Sequence, residues 1–86
     1  MKYTYYAVFH PNDDGQVEVT FPELDIATYG ESMTDAQGEA HDALAGYLLV
    51  QEDTHSSIPE TKPREQITAG SGDQVVEMTV DTELER

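Results

Sequence analysis

The sequence predicts an α+β domain of order β-β-β-α-β: a small, antiparallel-rich sheet with one helix packed on one face. Three observations predict it. Two β-prone stretches near the start are separated by concentrated turn residues. A single helical stripe of small and apolar residues follows them. Strand-like alternation then returns once, between Gln74 and Val80.

The first strand spans Lys2 to His10, where Tyr3, Tyr5, Ala7 and Phe9 alternate with Tyr6 and Val8. Both faces are apolar, which places this strand inside the sheet rather than at its rim. Pro11-Asn12-Asp13-Asp14-Gly15 supplies the turn, since proline fixes φ, Asn and Asp tolerate turn geometry, and glycine reaches positive φ. In the second strand, Gln16–Phe21, Val17, Val19 and Phe21 point one way and Gln16, Glu18 and Thr20 the other. Pro22 cannot donate to a ladder, so it ends this strand or lies on an exposed edge. Ile26–Tyr29 forms a short third strand closed by Gly30.

Ser32 then caps a helix running from about Met33 to about Glu52, with Asp35 as a shorter capping-box acid. Met33, Ala36, Ala40, Ala43, Leu44, Tyr47 and Leu48 make one apolar stripe, and Gly46 suits a close approach. Residues 55–72 hold two prolines and two glycines without periodicity and read as a mobile loop. Gln74–Val80 is the fourth strand, and Asp81–Arg86 is a polar end able to begin a helix. One domain, residues 1–86, accounts for the whole chain, and one helix leaves the second sheet face uncovered.

Charge is the strongest bulk statement. Eighteen acidic residues against four basic ones give a net charge of −14, a field that repels phosphate backbones and attracts basic proteins. Cysteine is absent, so neither disulfides nor thiolate metal sites support so small a core, and self-association is the expected remedy. No apolar run approaches the ~20 residues of a membrane span. A soluble, cytoplasmic protein is the expectation.

Enzyme chemistry finds little footing. The central strand Tyr3–Phe9 carries no carboxylate, although two-metal nucleases of ribonuclease-H type need one there. Asp13, Asp14, Glu23, Asp25 and Glu39 fall on turns, a corner and a polar helix side. His10, His41 and His55 have no metal-ligand spacing, Ser56-Ser57 lacks a nucleophile elbow, and no glycine-rich phosphate loop precedes a helix. The expectation is a binding protein with no catalytic residues, no metal and no cofactor.

The order and spacing of four short motifs resemble the HicB antitoxin family. They are the tyrosine-rich strand Tyr3–Phe9, the turn Asp13-Asp14-Gly15, the corner Phe21-Pro22-Glu23-Leu24, and Gly30-Glu31-Ser32-Met33-Thr34-Asp35-Ala36. The resemblance covers about residues 3–50 and extends more loosely to the strand at 74–80. At the corner, Asp25-Ile26-Ala27 stands where the family often has Pro-Gly-Cys. The resemblance implies a partial ribonuclease-H-like fold, inactive as a nuclease. It also implies neutralisation of a HicA-type toxin, a small basic mRNA-cleaving ribonuclease, by protein–protein occlusion, and assembly into a homo-oligomer, a dimer or tetramer. Many family members add a DNA-binding module; no recognition helix lies between the fourth strand and Arg86, so no direct DNA binding is expected. The alternative is a free-standing, HicB-like oligomeric binding or regulatory module without a toxin. Glu18, Glu23, Asp25, Tyr29 and Glu31, on the polar strand face and the corner, are the expected partner contacts.

Overall fold

The structure is a computed structural model describing residues 1–86. Its strands are β1 (Lys2–Pro11), β2 (Val17–Phe21), β3 (Ile26–Gly30) and β4 (Gln74–Asp81), and its helices are α1 (Met33–Asp53) and the short α2 (Thr82–Glu85). The four strands form one antiparallel sheet in the order β3-β2-β1-β4. The doubly apolar first strand therefore lies between two neighbours, as its sequence requires.

One face of the sheet builds the core. Tyr5, Ala7 and Phe9 of β1, Val17, Val19 and Phe21 of β2, and Val80 of β4 pack against Ala36, Ala40, Leu44, Ala45 and Leu48 of α1. Tyr47 and Met33 pack against this core from its margin, and Ala45 joins it although the stripe read from the sequence omits it. Small residues on the helix let it lie close to the sheet, and Gly30 sits at one such close approach. A Cβ there would stand 2.3 Å from the backbone nitrogen of Ala36. Gly46, by contrast, faces open space, so the close approach expected of it belongs to Gly30.

Local chemistry fixes the ends. Ser32 Oγ accepts the Asp35 N–H at 3.1 Å, while Asp35 Oδ2 accepts the Glu31 N–H at 2.8 Å. The shorter acid thus caps one residue further out than the Glu of a standard capping box. At the corner after β2, the Leu24 and Asp25 N–H groups both return to the Phe21 carbonyl, and Asp25 takes φ +56°. Aspartate is one of the few side chains that tolerates this left-handed region.

Three features were not read from the sequence. The loop expected between 55 and 72 contains a 3₁₀ turn at Arg64–Gln66 and a buried residue, Ile67, and it is tied down at several points. Pro59 C=O accepts from Tyr5 Oη, Gln51 Nε2 donates to Ser57 C=O, and Lys62 N–H donates to Glu23.

This connection also alters the second face of the sheet. It leaves Lys62 on the β2 flank of β1 and must reach Gln74, which pairs with Phe9 on the opposite flank. Since α1 occupies one face, the segment crosses the other. Val8 points to that face yet is only 6% exposed, and Ile67 is equally buried although neither belongs to the helix-side core. The second face is therefore not wholly bare. Glu18, Thr20, Ala27 and Tyr29 of β2 and β3 stay exposed on it, as do Glu77 and Thr79 of β4.

The third feature is a clasp on Glu52, in the last turn of α1. Its carboxylate accepts from Tyr3 Oη (2.7 Å), Thr82 Oγ1 (2.9 Å) and Arg86 (2.9 Å). Three donors hold the charged form, the Tyr3 hydroxyl most of all, and lower its pKa from the usual 4.5 to about 2. Thr82, fully buried, also receives its backbone bond from the other end of the chain: its N–H donates to Met1 C=O at 2.9 Å.

Candidate functional site

The exposed end of the sheet is built by β2, β3 and the loop before β2. Glu18 and Tyr29 are directly opposed across the β2–β3 ladder, on the face turned from the helix. Tyr29 is 56% exposed, an unusual position for an aromatic ring not already covered by its own chain. Asn12, Gln16, Glu18, Ala27, Thr28 and Tyr29 line a shallow groove of about 390 Å³. Gln16 Nε2 donates to both Glu31 oxygens at 3.3 and 3.4 Å, which draws Glu31 towards the same corner.

Three of the five residues expected to contact a partner thus share one surface: Glu18, Tyr29 and Glu31. Asp25 is exposed but sits before the other end of β3, four residues from Tyr29, or about 13 Å along a strand. Glu23 is committed internally. One of its oxygens accepts the Tyr6 N–H at 3.2 Å and the other the Lys62 N–H. It occupies the place where β2 would continue beside β1, standing in for a strand's carbonyls. A carboxylate held by two backbone donors is poorly placed to meet a partner's cation.

The electrostatic setting is one-sided. From Tyr3 to Thr61 there is no lysine or arginine, while twelve Asp and Glu residues lie in that span. Of the four basic side chains, Arg86 pairs with Glu52 and Asp53, whereas Lys2, Lys62 and Arg64 form no ion pair. The β2–β3 corner therefore presents carboxylates without local neutralisation, and a cationic surface approaching it gains from the field at every step.

Two histidines that stand alone in the sequence acquire carboxylate partners in the fold. His10 Nδ1 lies 2.6 Å from Asp73 Oδ1, and His41 Nε2 lies 2.8 Å from Glu85 Oε1. Asp73 also accepts the Gly70 N–H at 2.9 Å. Its hydrogen bond and charge raise the His10 pKa, and His10 in turn lowers that of Asp73. A histidine–aspartate pair is the beginning of a general-base arrangement, but no hydroxyl bonds to the remaining nitrogen of His10. Its visible effect is structural: it fixes the entry of β4 against the end of β1. No three His, Asp or Glu side chains converge as a metal-binding group, and no helix is long and apolar enough to cross a membrane.

Pairings such as His10–Asp73 and Tyr3–Glu52 span 63 and 49 residues of sequence. No local spacing announces them: the β1–β4 register brings His10 to Asp73, and the packing of α1 on the sheet brings Glu52 to Tyr3. Comparison with protein-family models, curated proteins and solved structures gave no match to this chain.

Proposed function

We propose that this protein is a HicB-like antitoxin that binds and neutralises a small basic ribonuclease of HicA type by covering its surface. The observation that carries this reading is the cation-free span from Tyr3 to Thr61, within which Glu18 lies opposite the exposed Tyr29 and Glu31 is held to the same corner by Gln16. A carboxylate next to an aromatic face offers a partner's Arg or Lys both an ion pair and a cation–π contact. Ordered motifs from Tyr3 to Ala36 supply the family likeness, and a four-stranded antiparallel sheet with one helix suits it. In this reading the protein acts in the cytoplasm as a dimer or tetramer, without catalysis of its own.

Coexpression with a small basic protein, if one is encoded beside its gene, tests this directly, by pull-down and by growth. Capture of that protein together with relief of its toxicity is the expected result. An uncaptured neighbour, or one whose toxicity persists, removes the antitoxin reading. Because the attraction is long-range, raising salt should slow association far more than it speeds dissociation.

A further inference from the structure

A second groove lies along the other half of β1. β2 pairs only with Val8–Pro11, whereas β4 pairs with Lys2–Phe9. The β2 flank of β1 is therefore without a strand from Lys2 to Ala7. Backbone groups alternate between the two flanks, and the Tyr6 N–H, bonded to Glu23, marks the even residues as those turned to the strandless side. The N–H and C=O of Thr4 point the same way.

Residues 58–61 run beside this flank but make no backbone hydrogen bond to it. They are held off at both ends, by Tyr5 Oη on Pro59 C=O and by Glu23 on Lys62 N–H. Pro59 and Pro63 have no N–H to give, so this stretch is a poor strand for closing the sheet itself. What remains is a groove of about 440 Å³ lined by Lys2–Tyr5 and Ile58–Thr61, within the roughly 300–1,000 Å³ of ligand pockets. β3 and β4 also have free outer edges, but only here does a second wall stand opposite the edge.

We propose that this groove receives an extended segment of a cationic protein, added as a short strand along Lys2–Tyr5 with Thr4 supplying the central backbone pair. Tyr3, Tyr5, Ile58 and Pro59 offer the apolar contacts for its side chains. One lysine and one carboxylate, Lys2 and Glu60, line the groove and offset each other, so the −14 charge of the chain decides which segments approach. The choice of a cationic occupant rests on the function proposed above; the groove itself does not.

The test is an NMR titration of the intact protein with acetyl-Lys-Val-Lys-Val-amide, and with acetyl-Glu-Val-Glu-Val-amide as counterpart. The lysine peptide should shift the amides of Lys2–Tyr6 and Ile58–Thr61 and protect the Thr4 amide from hydrogen exchange. Thr4→Pro, which deletes that one donor, should weaken binding about five- to tenfold. Thr79→Val, which removes the Thr4–Thr79 hydroxyl contact (2.8 Å) on the open sheet face, should leave binding unchanged. Shifts confined to Glu18–Tyr29, or none at millimolar peptide, overturn the proposal. Equal binding of the glutamate peptide overturns the cationic occupant. The two ideas fail separately. If Thr4→Pro captures the neighbouring basic protein as well as wild type does, the groove is wrong and the antitoxin reading stands. If the peptide binds and that protein is not captured, the reverse holds.

Discussion

Replacing Gly30 by alanine should be among the most damaging single-methyl changes in the chain. The added Cβ would stand 2.3 Å from Ala36 N, 2.5 Å from Ala36 Cα and 2.8 Å from the Asp35 carbonyl carbon. All three are backbone atoms in the first turn of α1, so no side chain can rotate away. The shortest of these distances is about 1 Å short of ordinary contact, and the helix must lift or tilt off β3 to restore it. Overpacking typically costs about 1–3 kcal/mol, and a clash against rigid backbone belongs at the top of that range. At about 3 kcal/mol, a domain of this size loses roughly 12–24 °C in Tm. Gly38→Ala is the matched control, because its Cβ meets nothing within 4 Å and alanine favours the helix by roughly 0.8–1 kcal/mol. Thermal melts followed by circular dichroism measure both. A Gly30→Ala protein that melts within 2 °C of wild type would refute the close helix–sheet approach.

Four further outcomes follow from the site and the clasps. Glu18→Lys, which reverses the charge opposite Tyr29, should weaken capture of a basic partner at least tenfold and flatten its salt dependence, read by surface plasmon resonance; Glu23→Gln should affect thermal stability more than partner affinity. Glu52 has a depressed folded pKa, so its contribution is fully present above about 4.5 and is lost as pH falls towards about 2. The stability gap between wild type and Glu52→Gln in urea should therefore shrink steadily across that window, and a gap independent of pH would contradict the clasp. His10 has a raised pKa, so the His10–Asp73 contact contributes fully below the ordinary 6.5 and fades as pH rises through the raised value; on the acid side it fades as Asp73, normally near 3.8, is protonated below its lowered pKa. Asp73→Asn should return His10 towards 6.5 in an NMR titration, and an unmoved His10 would mean that the pair does not form.

The strands and the main helix were legible because each carries its own period. β2 alternates residue by residue, α1 repeats apolar positions at three and four, and the double-sided β1 announces a central strand. The candidate surface at the β2–β3 corner was half legible. Glu18 and Tyr29 lie on the same face by simple alternation, but nothing local distinguishes Glu23, whose carboxylate substitutes for a missing stretch of strand. The crossing of the second face was hidden for a related reason. Its one buried residue, Ile67, lies among prolines, glycines and polar groups, and a single apolar position has no period. The groove beside Lys2–Tyr5 arises from a difference in length between β1 and β2, which becomes visible only once the register is known.

The bond from Thr82 N–H to Met1 C=O has a consequence for how the polypeptide can be rewired. The first residue and the last helix lie side by side, far along β1 from the Asp13-Asp14 hairpin tip. A few glycines should splice the two ends into a continuous backbone, and new ends opened at that tip should leave the fold intact. Such a circularly permuted protein would part Asn12 from Gln16 in sequence while keeping both in the groove they line.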